Sequence, residues 1–156
     1  MTKKILIAID DSENAQRAVA LVAEKFSTKT PITLLSIVLD TAALCGMDSP
    51  ELTPLFRSQQ SSFCVLEDKK RELINASMQK AKETLQAAGF PPDAIEIKVE
   101  NKKRGVARDI LAEAEKGYDL VVIGRRGITG IKEFFMGSTS SKVLSGVKDI
   151  SVLVVN

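Results

Sequence analysis

Three stretches of this chain are apolar almost without interruption where a half-buried strand would alternate: "KKILIAID" near the start, "PITLLSIVLD" after Pro31, and "YDLVVIG" ending at Gly124. Runs of this length, rich in β-branched residues, suit strands covered on both faces, and burial on both faces is the usual condition of a parallel sheet. Parallel neighbours need crossover connections, so each run should be separated from the next by a helix.

The intervening segments carry that helical period. After Asp10, Ser12 is placed to cap a helix in which Ala15, Ala18, Val19, Val22, Ala23 and Phe26 recur at steps of three and four. A second helix is expected from about Leu66 to Ala88, with Ile74, Met78, Ala81, Leu85 and Ala88 as its stripe and Gly89, Pro91 and Pro92 as its stop. "AIEIKVE" alternates apolar with charged residues, the pattern of an edge strand with one wet face. A helix after Gly105 places Val106, Ile110, Leu111 and Ala114 on one side and ends at Gly117, and another after Gly137 holds Val143 and Leu144. "ISVLVV" closes the order, which totals five strands alternating with four helices. Helices on both faces of a parallel α/β sheet follow, with ligands expected beyond the carboxyl ends of the strands, in the loops after Asp10, Val38 and Gly124.

Between Thr41 and Val65 the pattern breaks. Ser49 as cap and Pro50 as first residue predict only a short helix there, and the rest of residues 41–65 reads as an irregular insertion, either a lid or partner-binding loop or a plain surface excursion. The 156 residues otherwise read as one domain over 1–156, long enough to bury a core without disulfides or metals. Aromatic residues are 4% of the chain, so that core is built of Ile, Val, Leu, Ala and Met.

Charge and cysteine usage narrow the partners. A net charge of +2 from 22 basic and 20 acidic residues does not point to nucleic acid or an anionic membrane, and the triplets Lys69–Arg71 and Lys102–Arg104 read as solvated helix and strand ends. No apolar segment approaches the roughly 20 residues that cross a bilayer, and the charged, brief N-terminal run is unlike a signal peptide, so a cytoplasmic protein is expected. Cys45 and Cys64 form no CxxC pair and the chain has no histidine, which predicts two free thiols, no metal ligand set and no Cys–His nucleophile.

The candidate site lies in "VVIGRRGITGIKEFFMGSTSSKVL". Gly124 and Gly127 directly follow a buried strand, where backbone with positive φ can approach a ligand and expose N–H groups to an anion. Gly137 precedes a helix whose first turn presents unpaired amides, the positive end of the helix dipole, and the hydroxyls of Ser138, Thr139 and Ser140. Two readings stand: a phosphate cradle, or ordinary punctuation of strand and helix ends. No GxxxxGK[ST] loop is present, and "AIDDSENA" replaces a GxGxxG turn after the first strand.

The spacing Gly124-x2-Gly127-x9-Gly137-Ser138-Thr139 resembles the ATP-binding pattern of the universal stress protein family. "KKILIAIDDSENAQRAVA", "ITLLSIVLD", "GVARDILAEAEKGYDLVVIGRRG" and "GSTSSKVLSGVKDISVLVV" follow in that family's order, so the similarity covers all but about residues 41–65. The resemblance implies a five-stranded parallel sheet of order 3-2-1-4-5 with a Rossmann-like adenine nucleotide fold. It also implies ATP, or ADP or AMP, between the ends of the first and fourth strands, with Mg or Mn as a candidate companion of the phosphates. By that resemblance Asp10 lies close to the adenosine portion, the backbone of Ile37 or Val38 faces the adenine, Ile123 and Gly124 match the end of strand four, and Ala8 is counted among the nucleotide-binding residues. Arg126 and Gly127 fall in the phosphate loop, and Gly137, Ser138, Thr139 and Ser140 in the helix start. Arg125 and Arg126 replace the family's usual small residue and histidine, and "VKDISVLVV" lacks the usual proline and cysteine.

Three functions follow: a stress or signalling protein with ATP as conformational ligand, a slow metal-dependent ATPase using Asp10 or Asp11, and a nucleotide-independent interaction module. The first is preferred: no motif places a lysine or histidine to stabilise transition-state charge, although Arg125 or Arg126 could serve, and Asp10 and Asp11 read equally well as a strand end and a helix-cap neighbourhood. The apolar edge strand over 151–155, with no internal Pro or Lys, predicts homodimer pairing unless helix or loop covers it, and the resemblance implies the same. Phe134, Phe135 and Met136 are given no site role.

Overall fold

In the computed structural model, which describes residues 3–48, 51, 53–125 and 136–156, the apolar runs form β1 (Ile5–Ala8), β2 (Ile32–Val38), β3 (Ile95–Asn101), β4 (Leu120–Gly124) and β5 (Ser151–Val155). Every neighbour pairs parallel, in the order β3-β2-β1-β4-β5, as expected. All four residues of β1 are buried, which agrees with its place at the centre. β3 sits at one edge, and its alternating sequence leaves most of its residues exposed.

The period-two alternation of the strands divides the core between the two faces. Ile5 and Ile7 point to the face covered by α1 (Glu13–Lys25) and α3 (Pro54–Ala87), where they join Val19, Val22, Met78 and Leu85. Leu6 and Ala8 point to the other face, covered by α4 (Val106–Ala114) and α5 (Ser138–Gly146), with Ile110, Val121 and Val143. As expected, Ser12 caps α1, its Oγ accepting from Ala15 N at 3.2 Å.

The region 41–65 is more regular than its sequence pattern suggests. A short helix, α2, spans Ala42–Cys45, and α3 begins at Pro54, twelve residues before the expected start at Leu66, with the Thr53 hydroxyl accepting from Phe56 N at 3.2 Å. Periodicity could not show this first part, because α3 buries only Glu67, Met78, Ala81 and Leu85: from 54 to 66 no core lies beneath it. Of the short helix expected from Ser49, Ser49 and Pro50 lie outside the described residues, and Glu51 is in a turn. The helix stops as expected. Gly89 takes φ 100°, which lets Phe90 N reach Leu85 O at 3.1 Å and turns the Phe90 ring into the core.

The expectation of two free thiols is corrected. Cys45 and Cys64 form a disulfide, with Cα atoms 5.9 Å apart, because α2 folds back alongside the early part of α3 and brings positions 19 residues apart within bonding range. Among the described residues no helix is long and apolar enough to cross a membrane.

One charged cluster is buried against the second face. The Glu113 carboxylate on α4 accepts from Lys116 Nζ at 2.7 Å, Lys98 Nζ at 2.8 Å and the Tyr118 hydroxyl at 3.0 Å. Burial alone would push its pKa up; the three donors outweigh that and hold it at about 2, against an ordinary 4.5. A depressed carboxylate stabilises the fold above its unfolded pKa and loses that contribution as pH falls through the folded value. The shift corresponds to at most roughly 3 kcal/mol, reduced by solvent around the exposed Lys116. Unfolding free energy should therefore decline between about pH 4.5 and 2, and Glu113→Gln should flatten that segment of the curve in urea titrations at successive pH values.

Candidate functional site

β1 pairs with β2 through Ala8↔Leu35, but with β4 only as far as Ile7↔Val122. The two central strands part at their carboxyl ends just where the direction of crossover reverses, and a cavity of about 470 Å³ opens there, within the range of small-molecule sites.

Its floor comes from the strand ends. Ala8, Val38 and Ile123 line it as nearly buried apolar residues, with Ile37 beside them. Val106 and Ile110 of α4 extend this apolar surface. Asp10 stands at the mouth of β1, where its Oδ1 accepts from the backbone N of Ser12 at 2.9 Å and from the Ser12 hydroxyl, so the carboxylate also shapes the turn into α1. Asp11 lines the cavity too, and its buried Oδ1 has no hydrogen-bond partner among the described residues.

Opposite the β1 end, β4 and α5 are tied together. Gly137 N donates to Arg125 O at 2.7 Å, Arg125 N to Val155 O at 2.7 Å, and the buried Ser140 hydroxyl to Gly124 O at 2.5 Å. These bonds bring Arg125 and Gly137 together at the sheet's rim. Gly137, Ser138, Thr139 and Ser140 all line the cavity. The first intrahelical bond of α5 is Ser141 N to Gly137 O at 3.0 Å, and Gly137 supplies no side-chain cap, so the amides of 138–140 form an open first turn.

The role expected for Gly124 changes. Its φ is not positive; it ends a strand, and a Cβ there would lie 3.0 Å from Asn14 Cβ and 3.1 Å from the Asn14 carbonyl carbon. Close packing of β4 against α1, rather than a left-handed turn, requires the glycine. Ser140 also differs: its hydroxyl is spent on Gly124 O, which leaves its backbone amide as the group available to a ligand. Arg126 and Gly127 lie outside the described residues, as do Phe134 and Phe135. The other ten expected site residues meet around the cavity.

Sequence reasoning missed the wall supplied by α3. Glu67, Lys70, Arg71 and Ile74 line the cavity. Glu67 is buried and accepts from Lys70 Nζ at 2.9 Å; Arg71 donates to Leu39 O at 2.8 Å and Asn101 Oδ1 at 3.3 Å, bridging the ends of β2 and β3. A signal was available: 67, 70, 71 and 74 extend the stripe of Met78, Ala81 and Leu85 backward at the same three- and four-residue steps, with charges where apolar residues would be expected. Among the described residues no group of three or more His, Cys, Asp or Glu is placed to hold a metal ion.

If Gly124 is required by its contact with Asn14, Gly124→Ala should lower unfolding free energy by about 1–3 kcal/mol in urea denaturation. A Gly124→Ala variant as stable as the parent would show that α1 can yield there.

Known proteins place the architecture. The profile of the Universal stress protein family matches residues 1–156. The chain is 32% identical to universal stress protein YxiE of Bacillus subtilis (strain 168), with 99% of each chain covered. Among solved structures, the hypothetical protein MJ0577 superposes with a TM-score of 0.70 at 26% identity, covering 99% of this chain and 96% of that one. A universal stress protein solved in complex with cAMP superposes at 0.64 with 17% identity, covering 99% and 97%. A match over the full length, a close relative of equal span and the shared sheet order agree: the chain belongs to the universal stress protein family.

Proposed function

We propose that this protein binds an adenine nucleotide, ATP or its di- or monophosphate, in the cavity at the β1–β4 divergence, and acts as a nucleotide-responsive stress or signalling protein of the cytoplasm. The observation that carries this reading is the cavity's polarity. Its apolar floor at Ile37, Val38 and Ile110 suits a flat base, and the open first turn of α5 at 138–140 suits the phosphates. Between them, Asp10 and the unpartnered Oδ1 of Asp11 are acceptors for ribose hydroxyls. Arg126 and Gly127 belong to the phosphate loop in this reading, and Mg or Mn accompanies the phosphates. That a relative of the same fold is solved with cAMP lends support to the adenine class.

The nucleotide is a conformational ligand here, one that stabilises the bound form. At a hundredfold excess over Kd, ATP should contribute about 2.7 kcal/mol and raise Tm by about 5–10 °C. Gly137→Val, which places a branched side chain at the start of α5, should abolish the rise; an unchanged rise would move the phosphates elsewhere. Phosphate release over hours, with and without Mg or Mn, separates binder from hydrolase, and the binder reading expects no turnover.

A homodimer through β5 is part of the same proposal. Among the described residues β5 pairs only with β4, which leaves its outer edge an open ladder there, and Val152, Leu153 and Val154 are only partly buried. Sedimentation should give twice the mass of one chain, and Leu153→Lys should shift it towards the monomer; a parent protein that sediments as a monomer removes this part.

A further inference from the structure

The early part of α3 raises a question that the nucleotide reading leaves open. From 54 to 66 the helix buries no residue, yet the next residue, Glu67, is buried and, with Lys70, Arg71 and Ile74, forms a wall of the cavity. A helix that overhangs its domain in this way has little apolar contact to set its position.

Among the described residues, a disulfide and three side-chain hydrogen bonds tie this stretch to residues 39–47. The Cys45–Cys64 disulfide joins α2 to α3 one turn before Glu67. The Gln60 side-chain amide donates to Leu44 O at 2.5 Å and Met47 O at 2.9 Å, on the same stretch of chain. Arg71 holds that stretch at its other end through Leu39 O. α2 itself buries no residue, so apolar packing does not replace these ties. Residues 39–47 therefore act as a strap between the end of β2 and α3, and its one covalent fastening is the disulfide.

That fastening is open to reagents. Cys45 is exposed and Cys64 half-buried. Thiol–disulfide exchange with a dithiol reductant breaks the Cys45–Cys64 S–S bond: two electrons and two protons end on the two cysteine thiols, and the reductant becomes its own disulfide. The chain contains no other cysteine, so the chemistry is confined to this pair.

We propose that the Cys45–Cys64 disulfide is a redox strap that sets the affinity of the cavity, holding the α3 wall in its binding position when oxidised and releasing it when reduced. The proposal rests on the nucleotide reading above and adds its regulation. The oxidised form already shows the cavity formed, with Glu67 buried and Arg71 bridging β2 and β3. A preformed wall spares the ligand the cost of ordering it, so oxidation favours binding. The coupling is reciprocal: nucleotide must favour the disulfide by the same factor by which the disulfide favours nucleotide.

The test is titration calorimetry with ATP on the full chain, oxidised and after reduction, and on the Cys45→Ser/Cys64→Ser double variant. The oxidised protein should bind about tenfold more tightly than the reduced one, a coupling of ordinary size. The double variant should match the reduced protein and be indifferent to reductant. Equilibration in a dithiol redox buffer should then show saturating ATP lowering the reduction potential of the pair by about 30 mV, the same tenfold factor. Equal affinities in the two redox states would overturn the strap and leave the nucleotide site standing. No binding in either state would overturn the nucleotide site, and the strap with it. Failure of the cysteines to pair under any oxidant, read by thiol labelling, would overturn the strap alone.

Discussion

The structure turns on the parting of β1 and β4. Both strands are apolar on both faces, so both belong in the middle of the sheet, and their pairing over Ile5–Ile7 and Leu120–Val122 joins its two halves. From β1 the chain crosses to β2 and β3 on one side; from β4 it crosses to β5 on the other. The loops leaving the two strands must diverge, and no crossover can fill the space between their carboxyl ends. The cavity is thus a consequence of topology before any side chain is considered.

Side chains then decide what kind of cavity it is. Gly124 lets β4 come against Asn14 of α1, and Ser140 ties α5 back to the Gly124 carbonyl, so the start of α5 is held at the rim. Asp10 shapes the opposite lip by accepting from Ser12, which in turn caps α1. One short polar residue thus sets both the entry to a helix and the position of a carboxylate. Such economy is expected at strand-to-helix turns, where backbone amides freed from the ladder need acceptors.

The third side of the site is built differently. Strand ends and α5 are fixed by ladders and buried contacts, whereas the α3 wall combines the packing of Ile74 against the core with a disulfide, a glutamine amide and an arginine that bridges two strand ends. In the redox-strap proposal the part of that wall before Ile74, where α3 buries only Glu67, changes its order while the core beneath Met78, Ala81 and Leu85 stays folded. Glu113, by contrast, sits in a cluster with Lys98, Lys116 and Tyr118 on the opposite face of the sheet and steadies α4 against β3. The two polar clusters differ in role because one closes on itself and the other opens onto a cavity.

Much of this was written in local order along the chain. Uninterrupted apolar runs determined the parallel sheet, Ser12 the start of α1, and Gly89 the end of α3, because burial on both faces, helix capping and left-handed backbone each leave a signature within a few residues. Ten of the twelve expected site residues gather at the cavity for the same reason: strand ends and a helix start are legible, and topology brings them together. Three things only the tertiary structure decided. The early part of α3 leaves no apolar stripe because it buries no residue before Glu67; Gly124 is needed for its neighbour Asn14 rather than for its own φ; and Cys45 meets Cys64 only because α2 folds back on a stretch of helix that carries no apolar period. Each depends on what lies across from a residue, and the distance across a fold is not a property of sequence separation.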